Sequence, residues 1–398
     1  MSDSRGRRRA LAALLLGTAL ALTTACGGSS GGGRTGGGRG GEESRAVVTI
    51  TPRDGASDVG TSGALRVTAR QGSLTSVKVT DGKGRPVEGR ISGDGSSWEP
   101  SGHLAAATRY TVDAMARDKD GRQSAKHAVF TTLTPKNTFV AYFTPEDGSE
   151  VGVGMPVSLD FSRGITDPRS VEKAVRVTAD PPVEIRSHWF GNDRLDFRPE
   201  KYWTPGTKVT LSMNLDGVQG REGVYGTQNK TVRFTIGRSQ ISTVDTRSHE
   251  MTVRRDGKAV RTIPISAGGP GHTTYNGQMV ISEKFEVTRM NGDTVGFGGE
   301  YDIKDVPHAM RLSSSGTFIH GNYWSGEGTF GSANVSHGCV GLFDERGGGD
   351  PSTPAAWFYN HSLIGDVVVV ENSPDKTIQP DNGLNGWNMP WSQWTAGG

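Results

Sequence analysis

TPRDGASDVG (residues 51–60) and TPEDGSEVG (residues 144–152) are two copies of one phrase, set about ninety residues apart in a chain of 398. Each copy is followed, some seventy to eighty residues later, by a strand-like segment, HAVFTT around Phe130 and TVRFTI around Phe234. Between phrase and segment lie runs that alternate apolar and polar residues, ALRVTA, TSVKVT and RYTVDA in the first copy and VSLDF and KVTLSM in the second. Such period-two runs, broken by turn residues about every ten positions, are the pattern of half-buried strands in a β-sandwich. The repeat therefore predicts two immunoglobulin-like sandwiches, residues 46–136 and 137–238, built without an inter-sheet disulfide.

Upstream, arginines at 5 and 7–9 precede the apolar run Ala10–Leu22 and small residues ending at Cys26. This is the layout of an export signal, and the apolar run is too short to span a bilayer comfortably. TTACGGSSGGG resembles a lipoprotein signal in which Cys26 becomes the lipidated first residue, although Thr23 stands where a leucine is usual. Ordinary cleavage near Ala25 is the plain alternative, and Arg8-Arg9 is a weak hint of twin-arginine export. Residues 1–26 are thus read as a signal. Residues 27–45, GGSSGGGRTGGGRGGEESR, have nothing to bury and are read as a flexible tether. The expected location is outside the cell, anchored to the membrane.

Lys and Arg number 44 against 42 Asp and Glu, so the chain has no strong field with which to hold nucleic acid. In LDGVQGREGVYG, Asp216 and Glu222 offer oxygen ligands, but too few to distinguish a cation site from a solvated loop.

From about Ile241 the pattern changes. HEMTVRRDGKAVRTIPIS (249–266) reads as a hairpin with Asp256-Gly257 at its turn. Further strands are expected in GQMVISEKFEVTRM, TFIHGNYW and DVVVVEN. One short helix is expected in PSTPAAWFYNHS, capped by Ser352 or Thr353 with Pro354 in its first turn. The predicted fold class is therefore mainly β throughout, with a β-rich third domain over 239–372 and a Trp-rich tail over 373–398.

The chemistry concentrates in this third part. Two cysteines occur in the chain, and Cys339, in SHGC (336–339), is the one outside the export signal. A thiol that attacks a carbonyl needs a base, and an adjacent imidazolium would stabilise its thiolate. His320, in GTFIHGN, is a suitable partner. No Asp or Asn stands out to orient its ring, which leaves a backbone carbonyl for that task. Gly338 allows close backbone approach, and the amides of His337, Gly338 and Cys339 could form an oxyanion hole. A small buried hydrophobe is the plain reading of a lone cysteine. A zinc site of His337 and Cys339 with His320 or His308 is disfavoured by the i, i+2 spacing without a second short ligand pair. No metal and no cofactor is expected.

GTFIHGNYWSGEGTFGSANVSHGCVGL resembles the active-site signature of the L,D-transpeptidases of the YkuD type. The likeness extends over both sandwiches, AAWFYNH, GDVVVVEN and the tail GLNGWNMPWSQW. It implies that Cys339 is the nucleophile and His320 its base, acting on the bond to the terminal D-Ala of a peptidoglycan tetrapeptide stem. A thioester would then pass to a second stem, making a 3-3 crosslink, and carbapenem-type β-lactams would be covalent inhibitors. His337 would complete the catalytic motif. Tyr301 in GGEYDIKD would sit near the oxyanion hole. Ser315 and Gly316 would touch substrate, Met290 in VTRMNGD would be a lid residue, and Ser336 and Gly338 would shape the pocket. Gly341 departs from the family, which often carries Asn or Arg there to contact substrate, and Val295 stands near the place of a missing lid aromatic. A hydrolase with the same nucleophile, and a non-catalytic wall-binding lipoprotein, remain as alternatives. Trp387, Trp391 and Trp394 are expected either to pack the tail on the second sandwich or to stack on glycan rings.

Overall fold

The computed structural model describes residues 43–295 and 298–397, without the side chains at 294 and 295. The export signal, Cys26, the tether as far as residue 42 and the side chain of Val295 lie outside the described residues. Ser44 and Arg45, read from sequence as tether, belong to the folded part. Ser44 Oγ donates to Arg122 O at 3.0 Å, and the Arg45 amide donates to Asp118 Oδ2 at 3.0 Å.

The first sandwich pairs Val47–Thr51, Arg66–Arg70, Ser97–Pro100 and Gly89–Ile91 in one sheet. Ala56–Val59, Gln123–Thr132, Arg109–Arg117 and Ser73–Asp81 form the other. Alternation sets the inner face: Tyr110, Val112, Ala114 and Ala116 are buried while their neighbours point outward. The second sandwich repeats the plan, with Ala141–Thr144, Val157–Phe161, Arg194–Arg198 and Arg186–Phe190 facing Glu150–Val151, Asn229–Ile236, Lys208–Asn214 and Val175–Asp180.

The structure explains the repeated phrase. In the first copy the Gly55 amide donates to Val129 O and Asp54 Oδ1 accepts from the Val129 amide, both at 2.7 Å. In the second, the Gly148 amide donates to Arg233 O and Asp147 Oδ1 accepts from the Arg233 amide, again at 2.7 Å. Each Asp-Gly pair clamps a turn onto one residue of the later strand, and Gly55 (φ +74°) and Gly148 (φ +77°) hold the left-handed backbone this requires.

The third domain is a nine-stranded sheet in the order Gly277–Val280, Val367–Glu371, Gln240–Asp245, Glu250–Arg255, Lys258–Ser266, Val340–Phe343, Phe318–Asn322, Asp302–Arg311, Glu283–Asn291. The first and last strands are separated in sequence only by Ile281 and Ser282. Three Cα–Cα steps span at most about 11 Å, so the sheet must curl until its ends come close around a core that includes Met251, Ile263, Met310, Ile319 and Phe358. The 249–266 hairpin turns at Asp256 and Gly257, both at positive φ, as the Asp-Gly signal requires. Thr353 is the helix cap: its side chain accepts from the Ala356 amide at 3.3 Å, and Pro354 opens the helix Pro354–Asn360.

Two further short helices were not anticipated. Pro168–Lys173 in the second sandwich is capped by Asp167, which accepts from the Ser170 amide at 3.2 Å, and Trp391–Ala396 lies in the tail. Among the described residues no helix is long and apolar enough to cross a membrane.

The tail joins the second sandwich to the third domain. Trp394 is fully buried, its Nε1 donates to Arg186 O at 3.0 Å, and the Arg198 guanidinium lies 4.3 Å from its ring centroid. Trp387 Nε1 donates to Gly154 O at 2.7 Å. Asn385 and Asn388 accept from the Val280 and Gln278 amides, at 2.9 and 2.8 Å, and so cover the edge strand Gly277–Val280. Beside them the backbones of Gly152 and Gly154 donate to Ile364 O and Gly365 O at 2.8 and 2.9 Å. Removing the Trp394 side chain leaves a cavity where a ring, a hydrogen bond and a cation–π contact were. Trp394→Ala is expected to destabilise the fold by about 3–5 kcal/mol, read as a lower midpoint in chemical unfolding.

Candidate active site

Val340–Phe343 runs parallel to Phe318–Asn322, with Ile319 opposite Val340 and His320 opposite Gly341. Paired residues in a sheet point to the same face. Ile319 and Val340 enter the core, so His320 and Gly341 point the other way, as do Phe318 and the residue one step before the second strand, Cys339. The crossover 323–339 thus delivers the thiol to the same face as the imidazole, diagonally across two adjacent strands. Both side chains line a cavity of about 360 Å³ that also takes in Met290, Tyr301, Trp324 and His337. A larger hollow of about 510 Å³ touches both sandwiches, bordered by Thr61, His103, Lys173 and Tyr225, and has no cysteine on its wall.

His320 is 4% exposed, and its Nδ1 lies 2.9 Å from Gly321 O. That carbonyl can only accept, so Nδ1 carries the proton and Nε2 keeps its lone pair. The ring stacks on Trp324, 5.6 Å between centroids. Burial holds the imidazole below the ordinary histidine range, only partly opposed by the Gly321 bond.

The thiol is in a comparable state. Cys339 as a residue is partly exposed, yet burial around its sulfur pushes the thiol up to about 11, against the pull of the Phe318 amide 3.4 Å from Sγ. Sγ donates to Gly316 O at 3.6 Å. The direct thiol–imidazole hydrogen bond expected from sequence is therefore not made in this geometry. An imidazolium-stabilised thiolate is not the resting state either, because desolvation disfavours both ions. The resting pair is a neutral thiol beside a neutral base.

SHGC is held by its own backbone. Ser336 Oγ donates to Cys339 O at 2.5 Å and accepts from the Gly338 amide at 3.2 Å. The Gly338 amide is thereby committed within the loop, which corrects its assignment to an oxyanion hole. Gly338 sits at φ +110°, a conformation that side chains rarely adopt. Tyr301 keeps its proton, since burial first, then Cys339 once it has ionised, and the Glu300 carboxylate push it up to about 12. A neutral phenol on the cavity wall can donate a hydrogen bond to charge developing on a substrate oxygen.

A bacterial Ig domain model matches residues 56–219, and an L,D-transpeptidase catalytic domain model matches residues 239–370. L,D-transpeptidase 2 of Mycobacterium tuberculosis is 35% identical over 99% of this chain and 96% of its own length. The chain belongs to the L,D-transpeptidase family. L,D-transpeptidase 5 of the same species is 31% identical over 88% of this chain and 76% of its own length. A solved structure of LD transpeptidase LdtMt1 in complex with imipenem aligns at 29% identity and a TM-score of 0.49, covering 60% of this chain and all of that one.

Within this L,D-transpeptidase fold, Met290, Tyr301, His320, Ser336, His337 and Cys339 are brought to one cavity. Ser315 and Gly316 are not on its wall. Gly316 takes the thiol hydrogen on its carbonyl, while Ser315 is held by the tail: its amide donates to Asn382 Oδ1 at 3.0 Å and its Oγ accepts from Asn382 Nδ2 at 2.8 Å. Gly341 faces His320 without lining the cavity. A Cβ there would meet Asn322 Nδ2 at 3.4 Å and Ser266 O at 3.5 Å, ordinary contacts, so the fold does not require glycine at this position.

His308 stays outside the site, its Nδ1 2.7 Å from Asp344 Oδ2, and the zinc reading that used it falls away. Ile303, Asn322 and Trp324 also line the cavity. Sequence reading missed them, although Asn322 and Trp324 lie two and four residues from His320 and the alternation of that strand could have found Asn322. Among the described residues, neither Asp216 nor Glu222 belongs to a cluster of three ligand-bearing groups. Such a cluster is formed by His272, Glu300 and His337.

Proposed function

We propose that the protein is a peptidoglycan L,D-transpeptidase that forms 3-3 crosslinks through a Cys339 thioester. The observation that carries this reading is the placement of Cys339 and His320 on one face of two adjacent parallel strands, opening on a shared cavity. Rotation about χ1 swings the thiol from Gly316 O toward His320 Nε2. The sulfur attacks the carbonyl between the third stem residue and D-Ala, and the thiol proton passes to Nε2. As the C–N bond breaks, the imidazolium returns that proton to the departing amine of D-Ala. An amine from a second stem then attacks the thioester, forming the new amide and giving the thiol back.

Tyr301 donates toward the carbonyl oxygen in the tetrahedral states, Met290 packs on the stem peptide, and His337, Ser336 and Gly338 shape the pocket. Carbapenem-type β-lactams are proposed to acylate the same sulfur. Cys26, in this reading, carries the lipid that holds the enzyme at the outer face of the membrane, toward the wall.

Intact mass after incubation with a tetrapeptide donor tests the proposal. An adduct equal to the donor less D-Ala is expected, followed by transfer to an added acceptor amine with release of unmodified enzyme. No adduct would defeat the nucleophile assignment. An adduct released only as free tripeptide, with acceptor present, would assign a hydrolase instead.

A further inference from the structure

His272 Nε2 and His337 Nε2 each lie 3.2 Å from the same oxygen, Glu300 Oε2, and the three ligand atoms all fall within 4.8 Å of one another. The three residues come from separate places in the chain. His272 is in the loop between Lys258–Ser266 and Gly277–Val280, Glu300 stands just before Asp302–Arg311, and His337 belongs to SHGC. Neutral imidazole nitrogen and carboxylate oxygen are the ligand types that suit zinc, and this set differs from the His337–Cys339 grouping that spacing disfavours. Zn–N and Zn–O distances of about 2.0–2.2 Å in a tetrahedron place neighbouring ligand atoms about 3.2–3.6 Å apart. Both nitrogen–oxygen separations already meet that spacing. Only the two imidazoles, with ring centroids 4.8 Å apart, need to close further, and both side chains are partly exposed.

The backbone sets two of the ligands side by side. The Gly269 amide donates to Ser336 O at 2.9 Å, and the His272 amide donates back to Gly269 O at 3.0 Å. The His272 turn is therefore stitched to the residue preceding His337. A Cβ on Gly268 would fall 2.2 Å from His272 O, so glycine there is what lets the turn fold so tightly. Three protein ligands leave one tetrahedral position for water.

We propose that His272, Glu300 and His337 form a zinc site at the rim of the cavity, and that zinc bound there slows acylation of Cys339. His337 and Tyr301 line the cavity and Glu300 precedes Tyr301, so an ion bridging Glu300 to His337 would tie the two sides of the entrance together. The inhibitory consequence rests on the proposed function, while the binding site itself does not.

The test separates the two. Calorimetric titration of the mature Cys339→Ser protein with ZnCl2 is expected to show one site, weakened at least tenfold by His272→Ala and by Glu300→Gln. His272 is partly exposed, and His272→Gln, which is closer in size, serves as the second variant should the alanine variant unfold. Zinc affinity unchanged by both His272 substitutions would overturn the site, and so would binding that is seen with Cys339 present and lost in Cys339→Ser. With the thiol restored, zinc is expected to slow carbapenem adduct formation in the parent protein and not in His272→Ala. Equal inhibition in both would overturn the inhibitory role and leave the site to the calorimetric result.

Discussion

Cys339→Ala is expected to abolish thioester formation and crosslinking, with a loss of at least about four orders of magnitude in acyl transfer. No adduct should appear by intact mass with a tetrapeptide donor or with a carbapenem. The fold should survive: the side chain is small, its hydrogen bonds are the weak ones of sulfur to Gly316 O and from the Phe318 amide, and the loop is held by Ser336 rather than by the thiol. Any adduct that persists in Cys339→Ala, on a correctly folded protein, would remove the nucleophile from the mechanism.

His320→Gln is expected to lower acylation by about 10²–10⁴-fold, and its pH dependence distinguishes a base from a packing residue. In the proposed mechanism the neutral imidazole is the active form. Burial holds its pKa below the ordinary histidine range, so activity should persist as pH falls through 6.5 and be lost only at lower pH. On the alkaline side burial pushes the thiol up to about 11, so thiolate alone cannot supply the rate near neutrality. In His320→Gln the acid limb should vanish. The residual rate should climb about tenfold per pH unit toward 11, following the thiolate fraction. Alkylation of the parent Cys339 by iodoacetamide should rise with pH in the same way. An alkylation rate that is flat from pH 6 to 9 would reveal a preformed thiolate and refute the neutral resting pair.

The repeat, the Asp256-Gly257 turn and the helix at Thr353-Pro354 were legible because each is written locally. A left-handed turn, a cap and a period of two need only a few neighbouring residues. The helix Pro168–Lys173 was overlooked although Asp167-Pro168 announces it, since six residues give no helical periodicity. The oxyanion assignment failed at Gly338 because an amide's partner, here Ser336 Oγ, depends on how a loop closes. The cluster of His272, Glu300 and His337 was invisible for a similar reason. Its members are 28 and 37 positions apart in sequence, far outside any short ligand spacing, and two of them, His272 and His337, are drawn together by the bond from the Gly269 amide to Ser336 O.

By itself the sequence determined that this chain is mainly β, that its first two parts repeat, and that the nucleophile to propose is a cysteine with a histidine upstream. Backbone preference and side-chain chemistry are properties of single residues and their neighbours, and they survive in a one-dimensional reading. Only the tertiary structure decided that GQMVISEKFEVTRM divides into the two ends of a curled sheet, that Trp394 docks the tail on the second sandwich, and that the resting thiol leans on Gly316. Those outcomes are set by curvature, burial and desolvation, which sum over contacts between residues far apart in the chain.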